Sequence, residues 1–267
     1  MLTEIAPIAS TLSALLTGEP RQHGALTVMP LMAPALDEPD WLTLGEAGTR
    51  VRIAEVSEAG AVAELRVANL ADRPVLLLEG EELVGAKQNR VLDMSGLVAA
   101  GAEIAIPVSC VEQGRWRSRQ RHFVAGGASL YASLRRQKAQ WLGPSGKAGH
   151  AADQVAIWAA LARKGSEHGV ESPTGAMRDS YAKYGREIEA ARQALAAVPG
   201  QVGALVYLSR RWVGLDLLAG PRLFAGAWGR LCAGYAAAAL GQEPSGRPIG
   251  AATGVLGSLA VCQARPL

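Results

Sequence analysis

Between Pro74 and Trp116 short apolar runs stop abruptly in polar blocks: VLLL in EGEE, LV in GAKQNR, and IAIPV in SCVEQGRW. A strand of clean alternation buries one face and leaves the other in water. Here charged and amide side chains follow directly on the buried run, which is unfavourable unless they pair with one another or bind something. The segment therefore asks for short strands whose polar ends are gathered together, and it marks that place as the candidate site.

With a two-residue period, Val75, Leu77, Glu79, Glu81 and Leu83 share one strand face, and Ile104, Ile106, Val108, Cys110 and Glu112 share one face of the later strand. Both runs pass from apolar side chains to carboxylates on the same side. In one sheet, or in facing sheets, Glu79, Glu81, Cys110 and Glu112 converge at one end of the β core. Pro107 has no N–H to give to a ladder, which predicts an edge or a bulge at that point.

Upstream, ALTVMPL at 25–31 reads as a strand, and RVRIAEV and VAELRVANL flank SEAG as a hairpin in which Gly60 supplies a positive φ. After Trp116 the pattern becomes helical. One helix is expected over 128–142, ended by GPSG, and another from His150 to Lys164 with Val155, Trp158, Ala159 and Ala162 on its stripe. A third runs from Met177 through Tyr181, Tyr184 and Ile188 to Leu195. GALVYL and WVGLDLL predict a second hairpin, and Pro221 opens a helix with Phe224, Ala227, Trp228, Leu231 and Tyr235 on one stripe. The expectation is a single α+β domain over 1–267: β-rich at 24–116, helical at 128–198, a hairpin plus helix at 203–240, and a surface tail at 241–267 with a last strand in VLGSLAVC. Its N-terminal half is an antiparallel β-sandwich or rolled sheet, jelly-roll-like in one version, packed against C-terminal helices.

Composition narrows the function classes. With 49% hydrophobic and 19% charged residues over 267 positions, the chain has the balance of a globular protein with a sizeable core. A net charge of +3 gives no overall field for nucleic acid. Cys110, Cys232 and Cys262 are odd in number and widely spaced, against both a disulfide framework and a structural zinc site. No signal-peptide pattern and no membrane-length apolar run is present, so the expectation is a cytoplasmic protein with neither membrane nor nucleic-acid partner.

Glu79, Glu81 and Glu112 suit general acid/base catalysis, or a divalent cation held through oxygen; no metal-ligand spacing is present. Paired with Arg73, Lys87, Arg90 or Arg115, the same carboxylates form a structural ion network instead. Lys87, Gln88, Asn89 and Arg90 suit phosphate or ribose through charge-assisted hydrogen bonds, although GAKQNR is not a Walker loop. The bland alternative is a bulge whose amides satisfy loose backbone groups. Arg115, with Arg117, Arg119 and Arg121 at every second position, forms a basic ridge if extended, or a solvated loop. Trp116 either stacks on a base or plugs the end of the sheet. Cys110 with His122 invites a nucleophile reading, yet its Ile and Val neighbours favour a buried inert thiol. Asp216 is a charge in an apolar strand that either joins the site from a distance or bonds to backbone.

LLLEGEELVGAKQNRVL followed by IPVSCVEQGRW resembles the core of the ADP-ribosylglycohydrolase and rhodanese-phosphatase-superfamily-associated protein family. PL at 30–31, LTLGEA at 42–47, VAELRVANL, VGLDLL and the helix of Trp228 extend the likeness over most of the chain. The resemblance implies a place in NAD and ADP-ribose metabolism. On it rests the expected function: binding, with hydrolysis as an extension, of an ADP-ribose-like or other phosphorylated nucleotide by the carboxylates, GAKQNR, Arg115 and Trp116. The alternative is a noncatalytic module in which these residues form a structural polar network and the basic ridge meets a protein partner.

Overall fold

The computed structural model describes residues 5–33, 37–57, 60–61, 63–117, 120–142 and 150–244. The expected GPSG stop, Arg119, Cys262 and the last strand of the tail lie outside the described residues.

Six antiparallel strands close into a barrel: β5 (Val51–Glu55), β6 (Glu64–Asn69), β8 (Glu81–Gly85), β9 (Arg90–Leu92), β11 (Glu103–Cys110) and β12 (Phe123–Ser129), in the order β11-β6-β5-β12-β8-β9. No jelly roll is formed among the described residues; where the alternation predicted an antiparallel sandwich or rolled sheet, a closed barrel stands. Alternation fills it: Val51 and Ile53, Leu65 and Val67, Leu83, Leu92, Ile106, Val108 and Phe123 belong to one buried cluster. β5 and β6 form the expected hairpin, and Gly60 between them has φ +77°. Closure depends on β11 changing neighbours, since residues 103–107 pair with β6 and residues 108–110 with β9. Pro107 sits on the last rung against Glu64, where a missing N–H falls at the changeover and not at a free edge.

A small sheet, β10-β7-β4, is formed by β4 (Leu42–Thr43), β7 (Val75–Leu77) and β10 (Gly96–Val98). It packs at the end where β5 begins and β6 finishes, and there the Asn69 amide donates to the carbonyls of Arg73, Val98 and Ala99. That end of the barrel is capped. At the other end β5 finishes in Glu55 and β11 in Cys110.

The run from Val75 to Leu83 is not one strand, as the alternation predicted. Gly80 turns with φ +83°, sending β7 into the small sheet and β8 into the barrel, so Glu79 and Glu81 lose their common face. A Cβ on Gly80 would also lie 3.0 Å from Arg135 Cδ and 3.1 Å from Ser129 Oγ. Gly80→Ala is expected to cost about 1–3 kcal/mol from the forced φ alone, seen as a lower urea midpoint with an unchanged slope.

A second sheet is built on β3 (Leu26–Met32), flanked by β13 (Gln201–Leu208) on one edge and by β1 (Leu16–Thr17) and β2 (Arg21–His23) on the other; β14 (Arg211–Leu217) completes the predicted hairpin with β13. The helices are α1 (Ile5–Ala14), α2 (Leu44–Ala47), α3 (Ala132–Leu142), α4 (His150–Glu167), α5 (Met177–Lys183), α6 (Gly185–Ala194) and α7 (Pro221–Ala239). α7 buries Phe224, Ala227, Trp228, Leu231 and Tyr235, the predicted stripe. The expected single helix over 177–195 breaks at Tyr184 into α5 and α6. On α4 the predicted stripe is rotated: Val155 is exposed, and Ile157, Ala160 and Leu161 face the core. None of these helices is long and apolar enough to cross a membrane.

Candidate functional site at the barrel mouth

Gln88, Asn89, Arg90, Glu112, Arg115 and Trp116 come together at the end of the barrel opposite the small sheet, with Lys87 beside them. Their sequence separation is bridged because β9 and β11 are neighbours, Cys110 standing opposite Arg90. Glu112 lies just past β11, where a bridge to Ala176 docks the loop before α5.

Half of the cluster is satisfied within itself apart from Arg115 Nε, which is buried without a partner. Glu112 is 2% exposed; its Oε2 accepts the Arg115 guanidinium at 2.7 Å and the Asn89 N–H at 3.1 Å, and its Oε1 accepts the Thr174 hydroxyl at 3.0 Å. Arg115 also donates to the carbonyls of Ala86, Arg117 and Gly85 and to Asn89 Oδ1. Gln88 Nε2 donates to the Glu112 carbonyl at 3.0 Å, while its Oε1 accepts Arg90 Nη1 at 2.7 Å and the Cys110 thiol at 3.2 Å. Burial alone pushes the Glu112 carboxyl up, but the hydrogen bonds from Arg115 and Asn89 outweigh it and hold the group below the usual carboxylate range.

The other half is not saturated. Arg90 and Leu92 share the inward face of β9, as Glu55 shares that of Ile53 and Cys110 that of Val108, so the barrel interior ends in an ionic layer. Arg90 is fully buried, and its Nε and Nη2 have no hydrogen-bond partner; Glu55 Oε2 likewise has none. Trp116, 49% exposed, covers this layer, with the Lys87 ammonium 5.3 Å and the Arg90 guanidinium 5.6 Å from its ring centroid. Gly60 closes the side; a Cβ there would touch Glu55 Oε2, Lys87 Cδ and Trp116 Cζ2 at 3.2–3.4 Å. Burial depresses the Arg90 guanidinium, with Cys110 and Glu55 working the other way.

Glu79 and Glu81 do not join this site. Glu81, 1% exposed, accepts Arg230 Nε of α7 at 2.7 Å and its own loop's Leu78 N–H at 3.0 Å; burial pushes its carboxyl up against the pull of Arg230. Glu79 faces Arg135 and Lys138 of α3, and its backbone N–H donates to Ser95. Arg73, considered as their cation, pairs with Asp40. Cys110 is a buried thiol whose ionisation burial pushes up, and His122 lies exposed at the start of β12, so the structure supports the inert reading. Arg115 is consumed in the network and 7% exposed, whereas Arg117 and Arg121 are exposed and outside any strand, so the alternating ridge does not form.

Sequence reasoning missed Glu55, Thr174 and Gln154, whose amide bonds both backbone groups of Cys110 at 2.7 and 2.8 Å. The inward phase of RVRIAEV, which sets Glu55 on the face of Val51 and Ile53, carried the signal for the first; nothing local marks the other two. Among the described residues no group of three or more His, Cys, Asp or Glu is placed to hold a metal ion.

Fold and site define an α+β protein built on a closed barrel, one end of which is a buried ionic layer under a tryptophan. The ARG and Rhodanese-Phosphatase-superfamily-associated Protein domain matches residues 14–265, and the chain belongs to that family. Searches of curated proteins and of solved structures found no match.

Proposed function

We propose that the chain binds a small phosphorylated ligand of nucleotide type, such as an ADP-ribose-like molecule, at the barrel mouth. The observation that carries this reading is Arg90: a fully buried guanidinium with two unpartnered nitrogens. An orphaned buried donor is unfavourable by about 1–3 kcal/mol, and a phosphate oxygen would satisfy it. Trp116 offers a ring for a base, Lys87 adds charge, and Glu55 Oε2 is an acceptor for a ribose hydroxyl. The mouth of a β-barrel is a recurrent place for such ligands.

Glu112 already accepts three hydrogen bonds, and Glu79 and Glu81 lie elsewhere. The geometry therefore supports binding in preference to hydrolysis. The mutual hydrogen bonds of Gln88, Asn89, Glu112 and Arg115 Nη2 favour the second reading, a noncatalytic interaction module in which that half is structural scaffold.

Differential scanning fluorimetry with ADP-ribose, NAD and inorganic phosphate tests the proposal. Ligand at a hundredfold excess over its dissociation constant should add about 2.7 kcal/mol of stability. Trp116→Ala and Lys87→Ala, both at partly exposed positions, should each weaken the response about tenfold without unfolding the protein. No shift with any of the three probes would leave the interaction-module reading standing alone.

A further inference from the structure

Against α3 and β14 lies an open cavity of about 330 Å³ lined by Glu79, Arg135, Arg136, Trp212 and Tyr235. Its floor is electrically closed. Asp216 accepts the Tyr235 hydroxyl at 2.6 Å and both terminal nitrogens of Arg135, so the charge that looked isolated in an apolar strand has its partners in α3 and α7. A register shift between Val206 and Tyr207 marks a bulge in the β13–β14 hairpin, and Gly214 beside it admits Tyr235: a Cβ there would lie 2.2 Å from the hydroxyl. Trp212 stands opposite Tyr207, beside the bulge. Its indole is 39% exposed and is held in place by Nε1 donating to the Gly214 carbonyl at 2.9 Å.

Three groups around this space are unsatisfied in complementary ways. Glu79 Oε1 is buried without a hydrogen-bond partner. Arg135 gives its terminal nitrogens to Asp216, and its Nε is unpartnered. Arg136 lines both this cavity and the adjoining one of about 250 Å³, and no hydrogen bond or ion pair engages it among the described residues.

We infer that this cavity is a second ligand site, for a small flat molecule carrying both an amino group and an acidic group. The amine donates to Glu79, the ring lies on the fixed indole of Trp212, and the acid meets Arg136. Burial pushes the Glu79 carboxyl up, opposed by Arg135 and Lys138; a donor from the ligand would restore the charged form. Two sources offer this chemistry, a nucleoside monophosphate with an amino-bearing base and an aromatic α-amino acid.

Isothermal titration of the full chain with adenosine monophosphate, inosine monophosphate and L-tryptophan separates them. At least one of the two amino-bearing probes should bind, and inosine monophosphate, which lacks the exocyclic amine, should bind at least tenfold more weakly than adenosine monophosphate if the nucleotide is the ligand. Glu79→Gln and the surface change Arg136→Ala should each weaken the bound probe tenfold or more. The inference is overturned if neither amino-bearing probe binds, or if affinity survives both substitutions. It is equally overturned if Lys87→Ala, at the barrel mouth, is the change that removes binding, which would assign the probe to that other site.

Discussion

Glu112→Ala should destabilise the protein by about 3–5 kcal/mol, the largest single loss expected from any polar position in the barrel. The carboxylate is nearly inaccessible and is the common acceptor of Arg115, the Asn89 N–H and the Thr174 hydroxyl. Removing it leaves a buried guanidinium, a buried amide and a hydroxyl without their acceptor, and a cavity beside the loop that docks α5. Urea denaturation at neutral pH measures the loss, and Glu112→Gln, which keeps the shape and one acceptor, should recover part of it. If the alanine variant unfolds within 1 kcal/mol or so of the wild type, the network is not what holds the mouth together. The folded carboxyl lies below its ordinary range. Its contribution is therefore complete above the unfolded pKa and is lost as pH falls through the folded one.

Glu82→Gln should do the reverse and stabilise the protein at alkaline pH by about 3 kcal/mol. Glu82 follows Glu81 on β8 and points out of the barrel towards α5, with Oε2 accepting Arg178 Nη1 at 3.0 Å and Oε1 unpartnered. Gly126 makes room for it; a Cβ there would lie 2.3 Å from Oε2. Burial pushes its carboxyl from 4.5 to about 7, Arg178 pulling back and Glu112 adding to the rise. Because the folded pKa is above the unfolded one, folding takes up a proton between them. The stabilisation is complete below about 4.5 and declines as pH rises through about 7. Glutamine fixes the neutral form and removes that slope, while Arg178, half in solvent, loses little. Unfolding curves at about pH 5 and about pH 8 should converge for the variant and diverge for the wild type; parallel behaviour would show that Arg178 keeps Glu82 an ordinary carboxylate.

The buried faces of single strands were legible where two-residue alternation runs uninterrupted, as at Val51 and Ile53, Leu65 and Val67, and Ile106, Val108 and Cys110; the closure of those strands into a barrel, in place of the expected sandwich or rolled sheet, was not. The meeting of GAKQNR with SCVEQGRW was legible for the same reason, each polar block ending a buried run. The break at Gly80 was not, because LLLEGEEL keeps its apparent alternation through a turn that only the positive φ reveals. The cations met by the displaced Glu79 and Glu81 were beyond reach as well: Arg135 and Arg230 come from α3 and α7, as Arg178, the partner of Glu82, comes from α5. An ion pair across so much chain leaves no periodicity to detect. On α4, two registers of an alanine-rich helix offer stripes of similar spacing, and the packing of Ile157 and Leu161 decides between them.

The tie from Glu81 to Arg230 makes the order of synthesis matter. A nascent chain that has emerged through β12 possesses every strand of the barrel, yet it carries an acidic group in that barrel whose counterion is still to be translated about a hundred residues later. Until α7 arrives, the Glu81 carboxyl lacks the guanidinium that pairs with it, so the neutral form is favoured in that strand and the ion pair is added only once Arg230 has been made.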